Sequence, residues 1–445
     1  MISRKPLSDQ PSVRSPWFWV PSLYFAQGIP YVAVMIVSVL MYKRLGVSNT
    51  DIALYTSWLN LPWVIKPFWS PFVDLLKTKR WWIVVMQILV GAGLAGIALT
   101  IQGPLAFRYC LAFMWLLAFS SATHDIAADG FYMLGLNEKK QAYFVGIRNT
   151  FYRFAVIFGQ GILVMFAGWL EQRYAREMPE TAAIPQAWSL TFYLLTILFA
   201  LLFVYHYLFL PHPRRDTCTL PPQQASAGRV FKEFLGTFTS FFQKKHIVSA
   251  LIFILLYRFA EAQLVKITSP FLLDTPATGG LALSTAEVGF IYGTIGVIAL
   301  TIGGIVGGIA MARRGLKSCL WTMTIAMNLP NIVYLYLSFA RPESIGIISG
   351  CVAIEQFGYG FGFTSLTYFM MLFSNGKHQT AHYAICTGFM ALGLMLPGMI
   401  SGWIEESIGY RAFFVWIMLC TIPSFWATHL VRKNLTDNHS DNSSR

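Results

Sequence analysis

The sequence predicts an all-α integral membrane protein with twelve transmembrane helices in two six-helix halves. Two observations lead to this fold class. Of the 445 residues, 56% are hydrophobic and only 12% are charged, about half the charged share of an average soluble domain. Apolar runs also recur along the whole chain, each close to the about 20 residues that a helix needs to cross a bilayer core. This composition excludes an ordinary soluble enzyme and a disordered chain.

Twelve apolar runs are long enough to be spans. The first, 17–42, exceeds the about 7 to 15 residues of a signal-peptide core, so we expect it to stay in the protein as a transmembrane helix. The other predicted spans lie at 50–76, 80–101, 106–136, 141–170, 187–210, 247–273, 284–311, 317–339, 344–374, 379–405 and 410–431.

The basic residues follow the connections between the spans. The formal net charge is +13, which in a soluble protein would suggest a nucleic-acid partner. Here the two termini and the even-numbered connections carry 21 Lys and Arg residues, whereas the odd-numbered connections carry 7. The positive-inside rule therefore predicts that both termini are cytoplasmic. We expect the lipid bilayer, and no nucleic acid, as a partner.

A repeated tetrapeptide indicates two related halves. Gly168-Trp-Leu-Glu171 closes span 5, and Gly402-Trp-Ile-Glu405 closes span 11. Repeats at a fixed offset indicate duplication, and paired six-helix halves about an axis along the membrane normal are the plan of the major facilitator fold. The predicted regions are a cytoplasmic tail (1–16), the first half (17–210), a cytoplasmic linker (211–246), the second half (247–431) and a cytoplasmic C-terminal tail (432–445).

Spans 2 and 4 carry charges at membrane depth. A buried lysine usually faces the protein interior or a cavity, so Lys66 is a candidate for binding an anionic substrate group or a span 4 carboxylate. Asp125 and Asp129 lie one turn apart on one helix face, and two such carboxylates repel, which favours proton uptake by one of them. We consider them proton-coupling candidates. The alternative is that they pair structurally with Lys66, Arg148 or Arg153.

Other charges lie near the predicted cytoplasmic ends. Asp74 with the basic cluster that includes Lys79 and Arg80 is a candidate conformational latch. Arg148 and Arg153 open span 5, and the planar guanidinium suits a carboxylate ligand. We interpret Arg153 as a substrate-binding candidate and Arg148 as a gating candidate.

Spans 7 and 10 supply the charges of the second half. Arg258 and Glu261 are spaced to pair on one helix face, which leaves Gln263 and Lys266 as candidate ligand contacts. In span 10, Glu355 is an isolated buried acid and hence a candidate proton-coupling residue. Its alternative role is to pair with a span 7 cation. The glycines that follow it permit close helix approach.

No pattern for metal, cofactor or nucleotide chemistry accompanies these charges. The six cysteines are scattered without a CxxC pair, and there is no Walker motif for ATP hydrolysis. We expect no metal, no cofactor and quiet thiols. An integral-membrane transferase is an alternative of another class, but the connections lack the acidic or histidine cluster that such an enzyme usually needs.

Several motifs resemble the AmpG-type muropeptide permeases of the major facilitator superfamily. The resemblance rests on Pro62 to Asp74 with the spacing P-x3-K-P-x3-P-x2-D, on ATHDIAAD ending at Asp129, on Gly146-Ile-Arg148, and on EQFGYG from Glu355. It extends from about Leu23 to Trp426. The sequence departs from the family pattern at His124, where Gln is expected.

The resemblance implies proton-driven import of N-acetylglucosaminyl-anhydro-N-acetylmuramyl peptides across the bacterial inner membrane, without enzyme activity. Aromatic residues of the candidate cavity helices, Tyr359 among them, would suit sugar stacking. Siderophore importers and acetyl-coenzyme A transporters resemble the same branch, so a siderophore or acyl-coenzyme A carrier is the alternative.

Overall fold

The computed structural model describes residues 15–213, 216, 236, 238–376 and 379–443. No strand occurs among them, and helices follow one another as the sequence predicts. The predicted tail at 1–16 and the linker lie mostly outside this described part. Five of the six cysteines are described and all five are free.

Six transmembrane helices form the first half. Their bounds are α1 (Pro16–Arg44), α2 (Asn49–Trp58 and Leu61–Leu76), α3 (Lys79–Thr100), α4 (Ala106–Gly135), α5 (Glu138–Val156, Ile157–Ile162 and Leu163–Tyr174) and α6 (Glu180–Phe209).

Six more helices form the second half. Their bounds are α7 (Ile247–Leu256 and Phe259–Leu273), α8 (Thr285–Val288, Gly289–Gly296 and residues 297–314), α9 (residues 316–328, Leu329–Asn331 and Ile332–Ala340), α10 (Ile345–Ser374), α11 (residues 379–408) and α12 (residues 410–419 and Ile422–Ser443).

Length and apolar composition alone mark eight helices in the described residues as able to cross a membrane. Two of these, Thr285–Ala340 and Ala381–Asn434, have 56 and 54 residues, far more than one crossing of about 20 residues requires. Gly315 (φ 72°) and Gly409 (φ 74°) break them into two crossings each, in the left-handed region that favours glycine. With α2, which is divided into segments of 10 and 16 residues, and α10, the described helices make the predicted twelve crossings.

Glycines bring α8 and α10 together in the second half. A Cβ atom at Gly360 would lie 2.0 Å from the carbonyl oxygen of Leu300, and one at Gly303 would lie 2.1 Å from that of Phe357. The two helices therefore pack backbone against backbone, which small residues permit in membranes. The close approach predicted for the glycines of span 10 is confirmed.

The two halves meet mainly through α2 with α11 and α5 with α8. Because consecutive helices alternate in direction, both chain ends lie on one side of the molecule, here called the terminal side; the opposite side is the far side. On the far side, a Cβ atom at Gly293 of α8 would lie 2.0 Å from the carbonyl oxygen of Gln160 in α5. Among the described residues, the terminal-side part of α5 (Glu138–Val156) shows no comparable packing on α8. Between α5 and α8, the halves are thus packed together on the far side and separated toward the terminal side, whereas the terminal-side segment of α2 (Leu61–Leu76) also packs on α11.

Candidate functional site

An ion pair and a hydrogen bond to it join three helices of the first half. The Lys66 ammonium on α2 binds the Asp125 carboxylate on α4, and the Gln27 amide on α1 donates a hydrogen bond to the same carboxylate. The lysine side chain is 26% exposed and the aspartate 22%. The pair is therefore reachable from the space between the halves.

Asp129 forms a separate cluster one turn nearer the terminal side. Its Oδ1 accepts a hydrogen bond from the Tyr24 hydroxyl at 3.0 Å and lies 3.4 Å from Nη1 of Arg148. Arg148 also donates to the Tyr24 hydroxyl at 3.0 Å, and its guanidinium lies over the rings of Tyr24 and Tyr132. Each carboxylate of the predicted dyad thus has its own cation. This geometry agrees with the alternative in which the two carboxylates pair with cations of the first half. Proton coupling through the dyad stays a prediction.

The second half contributes a matching ion pair. Arg258 binds Glu261 through two contacts, Nε to Oε2 at 2.9 Å and Nη2 to Oε1 at 3.2 Å, as the spacing predicts. Its Nη2 also donates to the Tyr359 hydroxyl at 2.7 Å, and the guanidinium lies 5.0 Å from the Phe363 ring centre. Tyr359 is therefore oriented by a charged neighbour.

Residues from α1 and α5 lie between these two ion pairs. Tyr31 is close enough to interact electrostatically with both Asp125 and Arg258, and Arg153 interacts in the same way with Tyr359 of the other half. Trp63 packs edge-on against Tyr31, with ring centres 5.3 Å apart. We define the central cluster as the residues of the two ion pairs and the arginine and tyrosines near them: Tyr31, Lys66, Asp125, Tyr152, Arg153, Arg258, Glu261 and Tyr359.

Arg153 stands apart within the central cluster. Its guanidinium makes no hydrogen bond or ion pair with any residue that the structure describes, and its side chain is only partly buried. Lys66 and Arg258, in contrast, are each neutralised by a carboxylate. The arrangement offers one unneutralised guanidinium and several aromatic rings to a molecule between the halves.

Glu355 has hydrogen-bond donors but no cation among the residues that the structure describes. Its Oε2 accepts from the Tyr334 hydroxyl at 3.2 Å and from the Gln356 amide at 2.9 Å, and the residue is 3% exposed. The alternative that it pairs with a span 7 cation is wrong within the described structure, because Arg258 binds Glu261 and Lys266 binds a hydroxyl of α2.

The two other span 7 candidates lie in helix interfaces. Gln263 is fully buried, accepts a hydrogen bond from the Trp416 indole at 2.9 Å and donates to Cys420 of α12. Lys266 donates to the Thr56 hydroxyl at 3.0 Å and is 3% exposed. In this conformation neither side chain faces the central cluster, so their assignment as ligand contacts stays a prediction without geometric support.

The gating candidates lie at the terminal side of the first half. The backbone N–H groups of Lys79 and Arg80 donate to the Asp216 carboxylate at 2.7 and 3.0 Å, and the Arg80 guanidinium binds the carbonyl oxygen of Tyr207 at 2.5 Å. These contacts tie α3 to the last turn of α6 and to the segment that follows it. The side chain of Asp74 lies outside the described part of the structure. A latch between the halves at this cluster stays a prediction.

The family sequence model for the Major Facilitator Superfamily matches residues 22–382 of this chain. The chain belongs to this superfamily. It is therefore a secondary transporter with many membrane crossings, and the predicted fold class is confirmed.

The known proteins to which this chain is similar include AmpG-type permeases. The anhydromuropeptide permease of Escherichia coli K12 is 23% identical over 420 residues, which cover 93% of this chain and 79% of that protein. A Rickettsia conorii protein named transporter AmpG 4 is 25% identical over 415 residues, which cover 91% and 93%. The resemblance inferred from the motifs is confirmed.

Solved major facilitator structures share the fold. The nucleoside transporter NupG superposes with a TM-score of 0.68 at 15% identity, covering 93% of this chain and 98% of that one. A D-xylose–proton symporter superposes with a TM-score of 0.67 at 13% identity, covering 94% and 97%.

Sequence reasoning overlooked the residues that the first helix brings to the site of this transporter. Tyr24, Gln27 and Tyr31 contact or approach both span 4 carboxylates. The available signal was Gln27 itself, because a polar amide within an apolar span usually has a partner inside the protein. The tyrosines gave no such signal, since aromatic residues are ordinary in transmembrane helices.

Proposed function

We propose that the chain imports N-acetylglucosaminyl-anhydro-N-acetylmuramyl peptides from periplasm to cytoplasm across a bacterial inner membrane, driven by protons. The central cluster carries this proposal, because an unneutralised arginine among tyrosines suits an acidic, sugar-bearing ligand. The similarity to the anhydromuropeptide permease supports the same ligand class. Both termini are proposed to be cytoplasmic, so the terminal side would face the cytoplasm.

Arg153 would bind a carboxylate of the peptide. A guanidinium holds a carboxylate through two parallel hydrogen bonds, which gives orientation as well as affinity. Arg153 lies on α5 and Tyr359 on α10, so a ligand held between them would contact both halves. Tyr31, Tyr152 and Tyr359 combine an apolar ring with a hydroxyl, which matches the alternating apolar faces and hydroxyl groups of a sugar.

Asp125 would be the proton site linked to this ligand. The carboxylate holds the Lys66 ammonium, and a proton on Asp125 would remove the charge that retains the lysine. The released ammonium could then bind a second carboxylate of the peptide. Binding of a proton to Asp125 and binding of the peptide would thus stabilise the same conformation, as symport requires. Glu355, with no described cation, is the alternative proton site.

Uptake into membrane vesicles tests the proposed substrate and direction. Right-side-out vesicles that contain the protein should accumulate labelled anhydromuropeptide, and a protonophore should abolish the accumulation. Vesicles from cells without the protein are the control. If the labelled peptide does not enter while a siderophore or an acyl-coenzyme A does, the substrate assignment is wrong.

A further inference from the structure

Two of the contacts that join the halves on the far side are built from the same repeated sequence, beside an ion pair between Lys43 and Asp274. The Gly-Trp-x-Glu segment of α5 packs on the first turn of α8, and the Gly-Trp-x-Glu segment of α11 packs on the first turn of α2. Each segment therefore contacts the opposite half. The proposed substrate and proton sites use neither segment.

The first contact joins α5 to α8. A Cβ atom at Gly168 would lie 2.3 Å from the backbone nitrogen of Ala286, so only glycine allows this approach. Three residues later, Glu171 accepts a hydrogen bond from the Thr285 hydroxyl at 2.7 Å. Glu171 also binds Arg44 at 3.0 Å and Trp188 at 2.8 Å in its own half. Its carboxylate therefore stays paired if Thr285 moves away.

The second contact joins α11 to α2 in the same register. A Cβ atom at Gly402 would lie 2.0 Å from the carbonyl oxygen of Asn49 and 2.7 Å from the nitrogen of Thr50. Three residues later, Glu405 accepts a hydrogen bond from the Asn49 amide at 2.6 Å. The Lys43 ammonium donates a hydrogen bond to the side-chain amide oxygen of Asn49 at 2.9 Å.

The two target turns are also equivalent. Ser48 caps α2 by accepting a hydrogen bond from the Asp51 nitrogen, and Ser284 caps α8 by accepting one from the Glu287 nitrogen. In both cases the glutamate of the opposite half binds the residue immediately after the capping serine. The glycine meets the backbone of the same turn. The duplication therefore preserves a pair of contacts and not only a helix pattern.

We propose that Glu171 and Glu405 are equivalent positioning residues of the transport cycle, which close the far side by holding the first turns of α8 and α2. Both carboxylates are nearly fully buried, and a hydrogen bond to a charged group is among the stronger contacts available to a side chain. The tryptophans of the motif, Trp169 and Trp403, are 56% and 63% exposed. They take no part in the seal.

Two introduced cysteines report which side is open. Ala53 is buried on α2, one turn from Asn49, and Ala53→Cys should react only when the far side opens. Asn149 is exposed on α5, one turn from Arg153, and Asn149→Cys reports the terminal side. The full chain in nanodiscs is exposed to a membrane-impermeant maleimide, which reaches both faces. The chain without an added cysteine gives the background of the native thiols.

Glu171→Ala and Glu405→Ala should each increase labelling at Ala53→Cys several-fold and decrease it at Asn149→Cys. The double variant should be labelled at Ala53→Cys faster than either single variant. Glu405→Gln, which keeps an acceptor for Asn49 without the charge, should give an intermediate rate, and Trp169→Phe and Trp403→Phe should match the parent. Parent rates in the double variant would overturn the proposal. Increases at both reporters would also overturn it, because they would indicate a loosened fold and not a shift between the two sides.

Discussion

At the scale of single residues, the charges of the central cluster are paired with opposite charges, with one exception among the described residues. Asp125, Asp129 and Glu261 each lie within reach of a cation, as expected because an isolated charge in low dielectric costs several kcal/mol. Arg153 has no such partner among the described residues. It remains partly exposed to the space between the halves, where a ligand can supply the missing carboxylate.

Arg153→Gln should weaken binding of an acidic ligand without impairing folding, because no described contact is lost. The loss of a charge-assisted hydrogen bond of about 1.5 to 3 kcal/mol corresponds to roughly a tenfold or greater rise in the dissociation constant. Calorimetry with anhydromuropeptide and purified protein measures it, with Arg153→Lys as the charge-retaining control. Unchanged affinity in Arg153→Gln would exclude this residue from the binding site.

The ion pair between Arg258 and Glu261 should show strong coupling in stability. Arg258→Gln alone leaves the Glu261 carboxylate buried without its partner, which costs about 3 to 5 kcal/mol. Thermal unfolding in detergent should therefore show a larger loss for Arg258→Gln than for the double variant Arg258→Gln/Glu261→Gln. Additive losses from the two single changes would show that the pair is not energetically coupled.

Ion pairs between residues of one helix are easier to predict from the sequence than clusters of residues from several helices. Arg258 with Glu261 follows from helical spacing alone. The approach of Tyr31 and Arg153 to residues of the other half depends on how twelve helices pack, which no local pattern contains. Gln263 shows the converse error, because its position in span 7 says that it is polar and buried but not that it faces α12.

At the scale of helices, irregularities coincide with the contacts between the halves. The π-helical turns Ile157–Ile162 of α5 and Gly289–Gly296 of α8 face each other, and α1 has a third at Ala33–Val37. Such turns occur frequently at functional sites. The sequence predicts ten of the twelve helices to within four residues, since apolar length determines them, but α6 begins seven residues before its predicted span and α12 ends twelve residues after its predicted span. It does not predict these turns, because they depend on packing against a partner helix.

Gly360→Val should destabilise the second half, because its side chain would collide with the backbone of α8. Gly350→Val is a matched control on the same helix, where no other atom lies within 4 Å of the added Cβ. The two changes have the same effect on helix propensity. Thermal unfolding should show a clear loss for Gly360→Val and a value near the parent for Gly350→Val. Equal losses would mean that helix propensity, and not the contact between α8 and α10, limits stability.

At the scale of the whole molecule, the structure represents one conformation, in which α5 and α8 pack together on the far side and separate toward the terminal side. The duplicated halves and the twelve crossings are predictable from apolar runs and a repeated tetrapeptide. The conformational state is not, because the alternative states share one sequence and differ by only a few kcal/mol. Under the proposed orientation, this state releases substrate to the cytoplasm.

Substrate-driven proton movement tests the central claim most directly. The protein is placed in liposomes that contain a pH-sensitive dye, and anhydromuropeptide is added outside without a membrane potential. We predict that the parent acidifies the lumen as the peptide enters, whereas Asp125→Asn exchanges labelled peptide without acidification and free N-acetylglucosamine has no effect on either. Entry of labelled peptide into parent liposomes at unchanged lumenal pH would contradict proton coupling, and acidification by Asp125→Asn equal to the parent would exclude Asp125 as the proton site.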